Sequence, residues 1–159
     1  LYARATNRAG GGTRVDSIGD PERTAPSGVT GMSGLVCLRS TDAGALLALA
    51  DAEGISVLHF ASRGDDAECW FSLADQHDWQ AVRVRAERGG IAISEGLGAV
   101  SIVGAGFGQQ ASNLAKIRAV AKEADVSLLA TSSSPLRATL YCDERAVSVL
   151  IPLLHAAFL

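Results

Sequence analysis

The chain has 159 residues, of which 48% are apolar and 19% charged, enough for a substantial core in one domain or two small ones. Its net charge of −3 argues against the clustered basic surface that nucleic-acid-binding proteins need, so no nucleic-acid partner is expected. Apolar runs stay well short of the roughly 18 residues that cross a bilayer, so no membrane-spanning segment is expected.

The cysteine, histidine, serine and aspartate residues form no sequence pattern typical of a catalytic or metal-binding site. The three cysteines show no CxxC spacing, and Cys37 and Cys142 lie in strand-like runs, so we predict buried free thiols in a cytoplasmic protein. The three histidines are scattered, which argues against a metal site. No Ser, His and Asp set has catalytic context such as G-x-S-x-G. The chain is therefore predicted to have no catalytic residue.

Residues 1–28 differ in composition from the rest of the chain. They are rich in Gly, Arg, Thr and Pro, with three consecutive glycines at 10–12. Such composition is typical of a linker or a surface connection. Short strands are predicted at 1–5 and 29–32.

Residues 35–84 predict the order strand, helix, strand, strand, helix. An apolar strand over 35–39 leads to N-cap oxygens at 40–42 and an Ala/Leu-rich helix over 45–52. A hairpin follows, with strands over 55–61 and 68–73, and then a helix over 76–85. We expect Trp70 and Trp79 to pack this hairpin against the helix.

Residues 98–158 predict the same order again. The strands are expected at 99–103, 126–131 and 136–142, with a polar turn over 132–135. One helix carries an apolar face between Leu114 and Ala124, and the last helix carries one between Val147 and Phe158. Pro152 lies inside the last helix, and we expect it to kink or shorten that helix.

This internal repeat predicts an α+β fold with two tandem ferredoxin-like copies, each of order βαββαβ, packed together. The copies could form one continuous sheet or two facing modules. We divide the chain into a linker (1–28), a first domain (29–88) and a second domain (89–159). A small sheet of this kind leaves an exposed edge strand, so a homodimer is expected.

Several segments resemble aspartokinases. Val100–Phe107 resembles the strand and turn that open the last regulatory module of that family, and Leu154–Phe158 resembles its closing "L-H-x-x-F". Gly28–Gly31 resembles the "V-T-G" strand that begins the regulatory region. Ala3-Arg4 with Gly12-Thr13 resembles the last strand of the kinase domain. The resemblance therefore implies that residues 1–28 hold a remnant of the end of that domain as well as the linker.

The resemblance implies that the chain is the tandem ACT regulatory region of an aspartate kinase, which phosphorylates L-aspartate with ATP. Such regions dimerise, partner a kinase catalytic domain or subunit, and bind lysine or threonine where ACT modules meet. ATP and Mg²⁺ would belong to the kinase domain, and no cofactor is expected in this segment. The family often inserts one module within the other, so the Val29 strand is expected in the sheet of the second copy.

The resemblance also implies an effector site in loops and turns at the seam between the copies. The candidate effector-binding residues are Ser40, Thr41, Asp42, Ser62, Gln109, Gln110, Ser112, Asn113, Ser132, Ser133 and Ser134. Simpler interpretations stay open: Asp42 as a helix cap, the glutamines and Asn113 as solvated loop residues, and the three serines as a polar hairpin turn.

The chain departs from the family pattern where polar contacts to an effector are expected. Leu58 stands where the family often has Asp, and Leu129 and Pro135 each stand where it has Glu. We therefore expect weakened inhibition by lysine or threonine. The alternative function is a stand-alone tandem ACT sensor that is not attached to a kinase.

Overall fold

The structure is a computed structural model that describes residues 26–159 and two short strands, β1 (Tyr2–Ala3) and β2 (Thr13–Arg14). These two strands pair antiparallel, with Tyr2 opposite Arg14. The rest of the predicted linker over residues 1–25, including the three glycines, lies outside the described residues.

The main sheet has six strands, and four helices accompany it. The strands are β3 (Gly28–Ser40), β4 (Val57–Arg63), β5 (Asp66–Ser72), β6 (Ala92–Val103), β7 (Ala130–Ser134) and β8 (Arg137–Asp143). The helices are α1 (Ala43–Ala52), α2 (Trp79–Arg88), α3 (Ala111–Glu123) and α4 (Glu144–Phe158). The strand order is β4-β5-β3-β6-β8-β7, and every pairing is antiparallel.

Two ferredoxin-like modules share the long central strands β3 and β6. The first module consists of the second half of β3, α1, β4, β5, α2 and the first half of β6. The second module consists of the second half of β6, α3, β7, β8, α4 and the first half of β3, where Val29 pairs with Ile102. The predicted α+β fold with two packed ferredoxin-like copies is confirmed, and the copies form one continuous sheet.

Two glycines mark the point where the modules join. Gly34 and Gly96 have φ angles of 70° and 68°, which favour glycine because an L side chain is strained there. The β3–β6 register shifts between Met32 and Leu35 and again between Leu35 and Cys37. Each shift is a bulge, and Leu35 pairs with Leu97 between them. The Leu35–Leu97 pair therefore lies at the centre of an approximate twofold relation between the modules.

The helices pack in pairs against the sheet and form one core in each module. Val36 and Leu38 lie under α1 and α2, and Val100 and Ile102 lie under α3 and α4. All four side chains are fully buried. None of the described helices is both long enough and apolar enough to cross a membrane.

The other face of the sheet carries a third apolar cluster and is strongly concave. Trp70 on β5 and Tyr141 on β8 have ring centroids 4.5 Å apart. Their strands are three spacings apart, about 14 Å in a flat sheet. The sheet must therefore curl, so that the two modules face each other across this concave face. His59 on the edge strand β4 stacks on Tyr141 at 5.2 Å, which joins the modules further.

Trp70 and Trp79 lie on opposite faces of the sheet. Trp79 packs edge-on against Phe71 at 5.6 Å, as predicted for a contact between hairpin and helix. The prediction for Trp70 is wrong, because its side chain lies on the concave face, away from the helices. Phe71, the next residue along β5, takes the helix-facing position, since successive side chains on a strand alternate.

Two further predictions about the second copy need correction: the strand predicted over 126–131 starts later, and Pro152 does not shorten the last helix. Residues 126–129 are not part of a strand. The Val126 N–H donates a hydrogen bond of 2.9 Å to the Ala121 carbonyl and so closes the end of α3. β7 therefore begins at Ala130. The helix α4 is not shortened by Pro152 and continues to Phe158. Leu150 and Leu154, on either side of the proline, are both fully buried and hold the helix on the sheet.

Candidate functional site

The concave side of the sheet carries two cavities, one in each module. The first has a volume of about 530 Å³ and is lined by Arg39, Ser40, Thr41, Ala61, Ser62, Arg63, Asp66, Ala67, Glu68, Gly90 and Ala92. The second has a volume of about 160 Å³ and is lined by Thr30, Gly31, Met32, Leu35, Leu58, Ala99, Ser101, Val103, Arg137, Thr139 and Tyr141. The two cavities occupy equivalent places in the two modules. Arg39 lies four residues after Leu35 and pairs with Glu68, and Ser101 lies four residues after Leu97 and pairs with Thr139.

The first cavity contains both signs of charge. Arg39 Nε lies 3.4 Å from Glu68 Oε2, across the β3–β5 pairing. The other oxygen of Glu68 accepts a hydrogen bond of 3.1 Å from the Trp70 indole N–H. Arg63 and Asp66 face each other at the turn between β4 and β5. Cations and carboxylates are therefore both within reach of a molecule bound in this cavity.

The structure brings three of the predicted first-module residues together. Ser40, Thr41 and Ser62 all line the first cavity. Asp42 does not line it: its Oδ1 accepts a hydrogen bond of 2.9 Å from the Ala45 N–H and caps α1. The Ser40 hydroxyl accepts a bond of 3.0 Å from the Asp42 backbone N–H, which fixes the loop between β3 and α1. The capping interpretation of Asp42 therefore fits the structure.

The predicted second-module residues do not line either cavity. Asn113 Nδ2 donates to the Phe107 carbonyl and to Gln110 Oε1, both at 3.2 Å, and so orders the loop before α3. Gln109 lies in that loop and Ser112 in the first turn of α3, and both are exposed.

Ser132, Ser133 and Ser134 are not in a hairpin turn, contrary to the polar-turn prediction. They belong to the edge strand β7, and the turn is formed by residues 135–136. A Cβ on Gly108 would clash with the Ser134 carbonyl, so the loop before α3 packs tightly on the end of β7.

Sequence reasoning missed the polar residues of the second cavity. Ser101 Oγ and Thr139 Oγ1 lie 2.7 Å apart on paired positions of β6 and β8, and Thr139 is 5% exposed. Burial raises the pKa of Tyr141 above its ordinary value, and the Ser132 hydroxyl and Arg137 oppose that shift. Single hydroxyls inside the apolar runs V-S-I-V and A-T-L-Y-C are the sequence signal that could have revealed this cavity.

The three cysteines are free and buried, as predicted. Burial raises the pKa of Cys37 to about 12 and the pKa values of Cys69 and Cys142 to about 11. Thiols with such pKa values stay protonated near neutral pH and are poor nucleophiles. Among the residues that the structure describes, no group of three His, Cys, Asp or Glu side chains could hold a metal ion.

No protein-family model matches the chain, and a search of curated proteins finds no match. Solved structures do match. The aspartate kinase from Clostridium acetobutylicum aligns with a TM-score of 0.77 and 14% identity over 91% of this chain, which spans 37% of that enzyme. The Thermus thermophilus regulatory subunit of aspartate kinase, in its ligand-free form, aligns at 0.73 and 15% identity, over 85% of this chain and 99% of that subunit.

A third match is E. coli aspartokinase III in complex with lysine and aspartate, with a TM-score of 0.64 and 13% identity, over 86% of this chain and 34% of that enzyme. Identities this low establish a common fold and leave the chemistry of each site to be argued from its own residues. The chain therefore has the fold of the regulatory part of aspartate kinases.

Proposed function

We propose that this chain is the regulatory and dimerisation region of an aspartate kinase and has no catalytic role of its own. The observation that carries the proposal is the tandem fold, which matches nearly the whole length of the Thermus regulatory subunit. The absence of a catalytic constellation from the sequence supports it further. The free thiols support a cytoplasmic location, because reducing compartments keep cysteines unpaired.

The first cavity is the proposed effector site, and an amino acid is the proposed effector. A free amino acid carries a carboxylate and an ammonium group, and a site for it must supply both signs of charge. Arg39 and Arg63 offer the cations, and Glu68 and Asp66 offer the carboxylates. Ser40, Thr41 and Ser62 add hydroxyls at the same cavity. Lysine bound to E. coli aspartokinase III makes an amino acid the natural class to test.

We propose further that lysine or threonine binds more weakly here than the family pattern implies. Leu58 packs against the apolar cluster of the concave face and offers no charge. Leu129 is 46% exposed beside the start of β7, and Pro135 lies in the β7–β8 turn. These three positions lie outside the first cavity and offer an effector ammonium group no carboxylate, so only Glu68 and Asp66, the carboxylates among the described residues of the first cavity, can hold it.

Dimerisation is proposed through the sheet edges. β4 and β7 are the two edge strands of the main sheet. Near them lie exposed apolar side chains, Val57 on β4 and Leu136 in the β7–β8 turn, with exposures of 42% and 65%. Unpaired backbone groups beside apolar side chains favour pairing with a second chain.

The regulatory role is tested with the complete gene product that contains this chain. We expect the complete product, or a complex of this chain with a separate kinase subunit, to form aspartyl phosphate, and residues 1–159 alone to form none. Removal of residues 26–159 should leave phosphorylation but abolish its response to amino acids. A reading frame with no kinase, and no kinase partner, would instead favour the stand-alone sensor.

The effector site is tested by calorimetric titration of the chain with lysine and threonine. We expect weak binding, with a dissociation constant above the millimolar range. In Arg63→Met the affinity should fall a further tenfold, because hydrogen bonds to charged groups are stronger than those between neutral groups. Arg88→Met, at the exposed end of α2, is the matched control. Tight, millimolar-or-better binding would contradict the proposed weakening.

A further inference from the structure

The second cavity has a chemistry of its own. It shares no lining residue with the first cavity, so the proposal made here does not rest on the effector site proposed above. Its lining carries hydroxyl groups and one guanidinium but no carboxylate. A site that offers hydrogen-bond donors and positive charge without a carboxylate favours an anion.

The two hydroxyl groups of Ser101 and Thr139 lie next to each other in the lining of the cavity and have one hydrogen-bond donor more than their mutual contact uses. Ser101 and Thr139 each carry one hydroxyl proton, and their mutual hydrogen bond of 2.7 Å uses only one of them. Both residues lie within the β6–β8 strand pairing, where they are opposite each other, and Thr139 is buried. Among the described residues, neither hydroxyl makes a second side-chain hydrogen bond, so the other proton is available to an acceptor atom in the cavity that both residues line.

Arg137 supplies the charge at the mouth of the cavity. It lies at the start of β8, two residues before Thr139 and therefore on the same face of the sheet. None of the described carboxylates makes an ion pair with its guanidinium within 4.0 Å. Arginine binds a carboxylate through two parallel hydrogen bonds, so this position suits the charged end of a small organic acid.

The rest of the lining is apolar and limits the size of the ligand. Leu35 and Ala99 form the floor, and Leu58 reaches across from the first module. At about 160 Å³ the cavity is smaller than the roughly 300–1,000 Å³ that drug-sized ligands occupy. We propose that this cavity binds a small carboxylic acid with a short branched aliphatic chain and no ammonium group.

Ligand binding at this place would couple the two modules. The aliphatic chain would contact Leu58 of the first module, while the carboxylate would be held by Arg137 and Thr139 of the second. Tyr141 also lines the cavity and touches Trp70 and His59 of the first module. Occupancy would therefore stabilise the closed, curled form of the sheet.

The proposal is tested by residue-resolved NMR titration of the full 159-residue chain. Three probes share one branched skeleton: 3-methyl-2-oxobutanoate, L-valine, which carries an ammonium group instead of the keto oxygen, and 3-methyl-2-butanone, which lacks the carboxylate. We expect saturable shifts at Ser101 and Thr139 with the oxo acid, and affinities at least tenfold lower for the other two probes.

Variants locate the binding. Arg137→Met and Thr139→Val should each weaken oxo-acid binding at least tenfold, since each removes a hydrogen bond to a charged group. Thr131→Val on β7, outside the lining, and Thr139→Ser, which keeps the hydroxyl, should stay within twofold of the wild type. Arg137 is exposed, so its variant will fold even if Thr139→Val does not. Equal binding of L-valine, unchanged affinity in Arg137→Met, or no saturable shift with the oxo acid would each overturn the proposal.

Discussion

The two modules build the same backbone pocket and fill it with different chemistry. In the first module, Arg39 faces Glu68 across paired strands, and in the second, Ser101 faces Thr139 at the equivalent pairing. An ion pair thus stands where the other copy has two hydroxyls. The repeated fold thus fixes where a cavity forms, while the side chains at a few register positions decide its polarity and charge.

The helix-covered face shows a second difference between the modules. Val36 on β3 and Ile93 on β6 fill the space under the helices of the first module. The equivalent register positions in the second module are Gly98 and Gly31. A Cβ at either glycine would collide with Val147, so α4 lies closer to the sheet than side chains there would allow. The second module is therefore the more tightly packed of the two at this contact.

The largest effect is expected from the aromatic contact that closes the concave face. Trp70→Ala should lower the free energy of unfolding by about 3–5 kcal/mol, because a fully buried indole is replaced by a cavity. Tyr141→Ala should cost less, because a smaller ring is lost, and the two losses should not add, because the rings touch. Urea denaturation of both single variants and the double variant measures this coupling. Strict additivity would contradict direct contact between the modules.

A smaller loss is expected when the second module is given the bulk of the first. Gly98→Ala should cost about 1–3 kcal/mol, since its Cβ would lie 2.9 Å from the Met32 carbonyl oxygen and 3.1 Å from the Glu144 Cα. Gly28→Ala is the matched control, because nothing lies within 4 Å of a Cβ there. Thermal unfolding compares the two variants. Equal melting temperatures would show that α4 can move away from the sheet without cost.

The buried thiols predict loss of stability in alkali. The pKa of Cys37 is raised from 9.0 to about 12 in the folded chain. Below pH 9 the thiol is protonated in both states, and above it the unfolded chain loses the proton first, so stability falls as the pH rises toward 12. The loss approaches about 1.4 kcal/mol per pH unit for one thiol.

Cys37→Ala introduces the residue that the second module has at the equivalent position, Ala99. Denaturant unfolding between pH 8 and pH 11 should show a shallower decline for this variant than for the wild type. The same slope in both proteins would mean that Cys37 does not hold its proton more tightly when folded.

The repeat and the fold class could be predicted from the sequence because apolar periodicity and turn residues report on local structure. The helix over 45–52 was found for this reason and lies close to its predicted bounds. The strands predicted at 29–32 and 35–39 were also found, but they form one continuous strand, β3. The strand predicted over 126–131 begins later than expected, because Val126 and Leu128 pack in the core at the end of α3. Only from Leu129, whose N–H donates to the Tyr141 carbonyl, does the chain pair with β8. Local pattern does not distinguish these two ways of burying a valine or a leucine.

The sites were harder to predict because they depend on the curl of the sheet. Ser40, Thr41 and Ser62 were predicted through the family resemblance, and all three line one cavity. The second cavity was missed because Leu58 and Thr139 are far apart along the chain and come together only when the two modules face each other. Nothing in the periodicity of either strand encodes that curvature.

The smallest effect is expected from making the two cavities alike. Arg39→Ser, which introduces the second-module residue, should change stability by less than about 1 kcal/mol, because the side chain is 43% exposed and the ion pair is screened by water. Glu68→Thr should cost more, since it also leaves the buried Trp70 indole N–H without its acceptor. Denaturant unfolding at low and high salt separates these contributions: added salt should reduce the cost of Arg39→Ser and leave most of the cost of Glu68→Thr. A cost of Glu68→Thr that disappears in high salt would mean that the carboxylate acts through its charge alone, and that the indole bond contributes nothing to the difference between the modules.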